Sequence, residues 1–224
     1  MSRMPRLTAR ARLLAGLYAA LGIASSVSAA KRFRAGEWAA KPLLMPALAA
    51  FALAAAGDRG TDVRLPAAGM ALSGLGDTAL LGAESSDGWF VPGMGAFAAA
   101  HACYIAALAR DGAARGVRPR VAVGYAALWA ALIAVLWRGL GSLRVPVAAY
   151  SLLLVSMAVL ASGRNRGAAA GGALFVVSDA LIACGLAGVS LVPGQESAVM
   201  PTYVAAQFLL ADGFLRPQRD PAGP

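Results

Sequence analysis

Two aspartates lie inside apolar segments that are long enough to cross a bilayer. One is Asp77, and the other is Asp179, in the middle of the run GGALFVVSDALIACG at 171–185. Because a charged residue near the centre of a membrane helix costs roughly 3 kcal/mol to insert, such residues usually face a bundle interior or a wet cavity and mark a functional site. Two carboxyl groups that lie close together in a low dielectric do not both ionise easily, so one of them keeps a proton. Asp77 and Asp179 are therefore the candidate catalytic pair, one as acid and the other as base.

Other polar residues stand beside this pair or on the faces of neighbouring helices. His101 and Tyr104 are three residues apart, and Tyr203 and Gln207 are four apart, so each couple shares one helix face. A glutamine facing lipid would be costly, which predicts that the Tyr203 face points inward. Ser178 directly precedes the second aspartate. These residues are candidates for orienting the aspartates and a water molecule.

His101 is the single histidine of the chain. No second His or Cys stands at metal-ligand spacing from it, so the sequence does not predict a zinc site. Two interpretations of His101 stay open. It is either a hydrogen-bonding or proton-relay partner for a neighbouring carboxylate, or a buried histidine that serves only packing.

Lys41 follows Trp38 at the start of the second apolar segment, and it also has two interpretations. In the first, its aliphatic stem lies along the apolar surface while the ammonium reaches the interface beside Trp38. In the second, the ammonium lies over the outer mouth of the site and holds a phosphate head group.

The composition is that of an integral membrane protein. Of the 224 residues 59% are hydrophobic and only 14% are charged, and the mean hydropathy is +0.65, which exceeds what a soluble domain of this size carries. Apolar runs near the length of a helical span lie at 12–30, 42–56, 65–82, 89–109, 121–137, 145–162, 168–187 and 198–215. The sequence thus predicts an all-α, polytopic transmembrane bundle of about eight spans. The second run is short, so its helix should begin near Ala39 with Pro42 in the first turn, where proline is tolerated.

The net charge of +9 follows the predicted topology rather than a nucleic-acid-binding surface. With eight spans both termini share one side, whose segments hold 14 of the 20 Lys and Arg residues, against 6 on the other side. The positive-inside rule then places both termini in the cytoplasm. The basic start, the first apolar run and the small residues at 26–30 also resemble a signal peptide. We favour a retained first span, because its apolar run is long for a signal and its removal would leave the two ends on opposite sides. The chain 1–224 is predicted to form one integral membrane domain in the cell membrane, with cytoplasmic tails at 1–11 and 216–224.

The two aspartates occupy matching contexts. The pattern ALxxxGD ends at Asp77 and ALxxxSD ends at Asp179, an offset of 102 residues that also pairs His101 with Tyr203. Since spans three and seven run in the same direction, this pattern predicts a parallel repeat of four helices plus four with a pseudo-twofold axis along the membrane normal. Such an axis could bring the aspartates face to face.

The remaining notable residues of the spans have structural interpretations. Cys103 and Cys184 are expected to be small packing residues. Asp212 and Arg216, four residues apart, are expected to form an exposed pair at a helix end. Four aromatic residues of spans five and six are assigned to packing or to the membrane interface: Tyr125, Trp129, Trp137 and Tyr150.

Taken together, these motifs resemble the YhhN-like lysoplasmalogenase family of eight-span membrane proteins. The resemblance covers Lys41 to about Leu210, and its strength lies in the order and spacing of the motifs. Those motifs are Lys41-Pro42-Leu43, the pair Gly76-Asp77, the set Phe90, Gly93, Phe97, His101 and Tyr104 in FVPGMGAFAAAHACY, the segment Gly172 to Phe175 with Ser178-Asp179, and Tyr203 with Gln207.

The resemblance implies an enzyme that hydrolyses the vinyl ether bond of a lysoplasmalogen to a fatty aldehyde and a glycerophospho-alcohol. Asp77 and Asp179 would be the catalytic residues. The substrate-binding residues would be Lys41, His101, Tyr104, Ser178, Tyr203 and Gln207. Of these, Tyr104, His101, Tyr203 and Gln207 would orient the aspartates and a water molecule, and Lys41 would bind the phosphate. The partners would be the lysophospholipid substrate and membrane lipids, with no cofactor, no metal and no nucleic acid. The sequence leaves open which aspartate is the acid, which head group is accepted and the oligomeric state.

An alternative from another class uses the same carboxylates for proton coupling in a transporter or lipid-binding membrane protein. Internal repeats and acids near the bilayer midplane are typical of transporters. Gly or Pro breaks are scarce in the aspartate-bearing spans, which favours the enzyme, although Gly74 and Gly76 leave span three open to distortion.

Overall fold

The computed structural model describes residues 7–57, 61–83, 87–191 and 193–218. Within these ranges the regular secondary structure is all helical and contains no strand, which confirms the predicted all-α class. Short 3-10 turns occur at Asp87–Trp89, Ala113–Gly116 and Gly141–Leu143. The eight long helices are α1 Ala9–Ala30, α2 Arg34–Gly57, α3 Arg64–Ala83, α4 Phe90–Arg110, α5 Pro119–Leu136, α6 Arg144–Arg164, α7 Arg166–Leu186 and α8 Glu196–Leu215.

Seven of these helices are long and apolar enough to cross a membrane, and the protein is a multi-pass membrane protein. The remaining helix, α3, was predicted as a span but lies outside that set. Its hydropathy is lowered by Asp77, Ser73 and four glycines. Because α3 packs between α2 and α4, its polar positions face other helices rather than lipid. Parts of the predicted tails, 1–6 and 219–224, lie outside the described residues.

The prediction for the start of α2 was wrong. The helix begins at Arg34, not near Ala39, and Pro42 and Pro46 both lie inside it. A proline within a membrane helix is tolerated where neighbouring helices compensate for the lost hydrogen bond. Gly74 of α3 lies against this part of α2, and a Cβ added to it would stand 3.0 Å from the Cβ atom of Met45 and 3.4 Å from the Cδ atom of Pro46. The early start places Glu37 and Lys41 on the same helix, one turn apart.

Small residues let the helices approach closely, as is usual in membrane bundles. The heaviest packing joins α7 to α8 and α3 to α4. A Cβ on Gly171 of α7 would lie 2.7 Å from the backbone nitrogen of Leu210 in α8. A Cβ on Gly76 of α3 would lie 2.5 Å from the ring of Phe97 in α4. The helices that carry the two aspartates are thus held tightly against their neighbours in sequence.

A buried arginine ties three helices together at one end of the bundle. Arg164, at the end of α6, donates from Nε to the carbonyl oxygen of Gly213 and from Nη2 to that of Phe214, each at 3.0 Å. It also pairs with Asp111, just after α4. These contacts satisfy carbonyl groups that the end of α8 leaves without helical partners.

Several smaller predictions are confirmed. Asp212 and Arg216 form an ion pair at 2.6 Å in the last turn of α8. Cys103 and Cys184 are free thiols. Helix α1 packs against α2 and α8, and Tyr18 donates to the carbonyl oxygen of Val204 at 2.8 Å. This packing supports the retained first span, which stays a prediction.

Replacing Gly171 with Ala tests the close approach of α7 and α8. The added methyl group meets backbone atoms, which do not move aside as a flexible side chain would, so Gly171→Ala should destabilise the bundle by roughly 1–3 kcal/mol. The matched control is Gly124→Ala on α5, where no atom lies within 4 Å of the added Cβ and helix propensity favours Ala. Thermal unfolding in detergent is the measurement. Equal midpoints for the two variants would contradict the packing described here.

Candidate active site

Both aspartates line one cavity inside the bundle. Asp77 comes from α3 and Asp179 from α7, and Ser178 and Tyr203 lie on the same wall. Lys41 from α2 lines the cavity as well. The part of the cavity lined by Asp77, Asp179 and Lys41 is called its polar end below. Five of the eight residues singled out from the sequence therefore meet at one place. Their catalytic and binding roles stay predictions.

The Asp77 carboxylate is held by a buried hydrogen-bond network from α8. Tyr203 donates its hydroxyl to Oδ2 of Asp77 at 2.8 Å. Behind it, Gln207 donates from Nε2 to the Tyr203 hydroxyl at 3.3 Å and to Ser73 Oγ at 3.1 Å. Its other amide atom, Oε1, accepts from the Tyr104 hydroxyl at 2.9 Å. The inward orientation predicted for the Tyr203 face is confirmed, since Tyr203 is 4% exposed and Gln207 is fully buried.

The hydrogen-bond network around Asp179 consists of different residues. The Tyr150 hydroxyl, from α6, donates to Oδ2 of Asp179. The same hydroxyl lies 3.3 Å from Nε2 of His101 on α4. The imidazole packs edge-on against Phe175, with ring centroids 4.8 Å apart, and within the described part of the chain its Nδ1 atom has no hydrogen-bond partner. His101 therefore reaches a carboxylate, as one interpretation proposed, but through Tyr150.

Lys41 forms an ion pair with Glu37 one turn earlier on α2, with Nζ 2.5 Å from Oε2. Their side chains are 15% and 9% exposed. The lysine side chain is largely buried, has a carboxylate as its counterion and lines the cavity. Both interpretations of Lys41 stay predictions.

Beside α5 the cavity is lined by apolar side chains, and this part is called its apolar arm. Five α5 residues at helical spacing line this arm: Leu128, Trp129, Leu132, Ile133 and Leu136. Leu154 and Val155 of α6 line the cavity as well. Helix α5 is loosely attached, since it packs mainly on α6 and Leu136 is its one buried residue. The apolar arm is therefore lined on one side by α5, a helix with few contacts to the rest of the bundle.

Sequence reasoning missed two residues of this site. Tyr150 and Trp129 were assigned to packing or to the interface, and both line the cavity. Tyr150 contacts Asp179 directly, and Trp129 donates from Nε1 to Ser151 Oγ at 3.0 Å, which ties α5 to α6. The signal that could have identified them is spacing, because Tyr150, Leu154 and Val155 occupy one face of α6 and Trp129, Leu132 and Leu136 one face of α5.

His101, Tyr104 and Gln207 lie behind the cavity wall rather than on it, since none of them lines the cavity. All three are fully buried. They are placed to hold the residues that face the cavity. Among the described residues no cluster of three or more His, Cys, Asp or Glu side chains could hold a metal ion.

Comparison with known proteins identifies the family. The model of the YhhN family matches residues 36–214, which include every residue of the site described above. The chain belongs to the YhhN family.

Three named relatives of this YhhN-family chain are called lysoplasmalogenase. Two come from Mycobacterium bovis and Mycobacterium tuberculosis, and each is 32% identical over 228 residues, covering 94% of this chain and 85% of the relative. The third is the lysoplasmalogenase TMEM86B of Homo sapiens, 32% identical over 144 residues, covering 64% of this chain and 60% of the relative. No solved structure matches the chain.

Proposed function

We propose that this YhhN-family protein hydrolyses the vinyl ether bond of a lysoplasmalogen, releasing a fatty aldehyde and a glycerophospho-alcohol. The observation that carries the proposal is the joint placement of Asp77 and Asp179 on one cavity with a polar end and an apolar arm. The names of the three relatives support the same activity.

The lining of the cavity combines polar and apolar side chains, which are the contacts that a lipid with one chain and a charged head requires. In the proposed complex the phosphate lies near Lys41 and the alkenyl chain lies along the apolar face of α5. Because α5 has few neighbours, the chain can enter sideways from the bilayer without crossing water. The vinyl ether carbons, next to the glycerol, then lie between the two carboxyl groups.

The reaction needs a proton donor, a carboxylate and a water molecule. The protonated aspartate gives its proton to the β-carbon of the vinyl ether, and the π electrons form the new C–H bond. The ionised aspartate stabilises the resulting oxocarbenium ion, as in glycoside hydrolysis, and then takes a proton from the water that attacks the α-carbon. The hemiacetal collapses when that proton passes to the leaving glycerol oxygen, and the hemiacetal hydroxyl returns its proton to the first aspartate. Both aspartates thereby recover their starting states.

We further propose that the whole chain is one membrane domain with α3 as an eighth crossing. Its placement between α2 and α4 supports this, because a helix packed along two spans shares their direction through the bilayer. Eight crossings bring both termini to one side, and the distribution of Lys and Arg favours the cytoplasm of the cell membrane.

Reporter fusions at the two ends of the chain test this topology. Each end is fused in turn to a reporter that is active only in the cytoplasm and to one that is active only outside it. The first should be active and the second inactive at both ends, because eight crossings return the chain to the side where it began. A fusion at the loop between α1 and α2 is the control and should give the opposite result. An external signal from the C-terminal fusion would contradict the eight-span topology.

The aldehyde product tests the proposed function directly. The purified protein should release free fatty aldehyde from a defined lysoplasmalogen, and Asp77→Asn and Asp179→Asn should each lose at least a hundredfold in kcat, because neither amide can donate or accept the proton as the carboxyl does. The matched control is Asp62→Asn, outside the spans, where the side chain accepts from the backbone nitrogen of Arg64 and an amide oxygen can do the same. Full turnover by either cavity variant would remove that aspartate from the mechanism.

The role of the Lys41 ammonium is separable from the chemistry. Removing Lys41 alone would leave the buried Glu37 unpaired, so the test variant is Lys41→Met with Glu37→Gln. A contact made equally in the ground and transition states changes KM and not kcat, and we expect KM to rise about fivefold, which corresponds to about 1 kcal/mol. The exposed pair Arg32 and Glu196 provides the control, Arg32→Met with Glu196→Gln, which should leave KM unchanged. An unchanged KM in the first variant would rule out phosphate binding by Lys41.

A further inference from the structure

The two aspartates are equivalent in the sequence pattern but differ in the residues that contact their tyrosine hydrogen-bond partners. Each accepts a hydrogen bond on Oδ2 from a tyrosine, Tyr203 for Asp77 and Tyr150 for Asp179. Behind Tyr203 stands the amide of Gln207, and behind Tyr150 stands the imidazole of His101. An amide cannot carry a proton at neutral pH, whereas an imidazole can give or take one at either ring nitrogen.

The direction of the network around Asp77 is fixed by the amide. As placed, both amide hydrogens of Gln207 have acceptors, Ser73 Oγ and the Tyr203 oxygen, and Oε1 accepts from Tyr104. Turned over, the amide would have one acceptor, Tyr104, for two hydrogens in a fully buried position, which is unfavourable. Because Gln207 donates to the Tyr203 oxygen, the Tyr203 hydrogen is directed to Asp77. The network therefore presents only donors to this carboxyl group.

The fixed donor sets the protonation state that this environment favours. A carboxyl group whose hydrogen-bonding neighbour can only donate is stabilised in its ionised form. Lys41 also lines the cavity, but its ammonium is paired with Glu37. Asp77 is thus arranged to be a carboxylate by the Tyr203 hydrogen bond.

The network around Asp179 works in both directions. In one arrangement His101 donates from Nε2 to the Tyr150 oxygen, and Tyr150 donates to Asp179. In the other, a protonated Asp179 donates to Tyr150, and Tyr150 donates to Nε2 of a His101 that carries its hydrogen on Nδ1. Both arrangements use the same heavy atoms and the same two hydrogen-bonded pairs, so Asp179 can hold or release a proton without movement of its neighbours.

We propose that Asp179 is the proton donor and Asp77 the carboxylate that stays ionised, and that Tyr150 and His101 are positioning residues which stabilise Asp179 in both protonation states. The assignment rests on the proposed hydrolysis and specifies it: Asp179 protonates the β-carbon, and Asp77 stabilises the cation and activates water. Since two carboxyl groups on one cavity do not both ionise easily, the pair shares one proton, and the networks place it on Asp179.

Small carboxylic acids distinguish the two roles. In Asp179→Gly the missing group is an acid, so added acetate should restore aldehyde release in proportion to undissociated acetic acid, falling about tenfold for each pH unit above its pKa. In Asp77→Gly the missing group is an anion, so rescue should follow the acetate ion and not decline as the pH rises. A reaction with acetate but without protein measures the spontaneous hydrolysis of the substrate, and its rate is subtracted. The opposite pattern, or rescue of both variants by the same form, would overturn the assignment.

Infrared spectra decide the case if neither glycine variant is rescued, and they do not depend on activity. The carbonyl band of a protonated carboxylic acid should be present in the wild type, persist in Asp77→Asn and disappear in Asp179→Asn. Loss of this band in Asp77→Asn, with the band retained in Asp179→Asn, would reverse the roles of the two aspartates. A wild type that shows the band but releases no aldehyde would defeat the proposed function while leaving the placement of the proton intact.

Loss of the Tyr150 hydroxyl tests the positioning role. Tyr150→Phe should shift the Asp179 band. It should also lower kcat about tenfold to a hundredfold with KM unchanged, because the hydroxyl donates to the carboxylate that Asp179 becomes as it gives up its proton. Tyr203→Phe should leave the band in place. The control is Tyr125→Phe on α5, away from the cavity lining, which should change neither band nor kcat. A Tyr150→Phe variant with a normal band and lower kcat would show that Tyr150 has a structural role only.

Discussion

The need to satisfy two carboxyl groups inside a bilayer organises this molecule. A buried carboxylate without partners is costly. Asp77 in α3 receives its hydrogen bond from α8, which is distant in sequence, and Asp179 in α7 receives its hydrogen bond from the preceding helix, α6. The first bond joins the two halves of the bundle, and the second fixes Asp179 within its own half. The close packing of α3 with α4 and of α7 with α8 then fixes the carboxyl groups in position.

The predicted parallel repeat gives these contacts a common origin. If α3 and α4 correspond to α7 and α8, then His101 corresponds to Tyr203 and each aspartate is linked to the equivalent residue of the other half. Asp77 bonds Tyr203 directly, and Asp179 reaches His101 through Tyr150. Helices α1 and α5 each pack on the helix that follows, α2 and α6, but the halves diverge in what else these two helices contact. Helix α1 also packs on α8, whereas α5 has no comparable packing on α4. The apolar arm of the cavity lies beside α5, where the correspondence breaks down.

The sequence predicted the elements well because membrane spans depend on length and apolarity, which are local properties. It also located Asp77, Asp179 and the Tyr203 face, because a polar residue in an apolar span is conspicuous. Tyr150 was missed, since a tyrosine in a span has an ordinary explanation in packing and only the fold reveals Asp179 beside it. The start of α2 was misplaced because Pro42 was taken to mark the first turn, whereas a membrane helix can hold a proline in its interior.

The most direct test of this account is an experimental structure with a saturated ether analogue of a lysoplasmalogen bound. The account predicts the ether oxygen and first chain carbon between Asp77 and Asp179, with the carboxyl groups within the ~5–9.5 Å range of paired catalytic carboxylates. The phosphate should contact Lys41 and the chain should follow α5. An analogue bound with its ether outside this cavity, or carboxyl groups too far apart to reach one bond and a water molecule, would contradict the account.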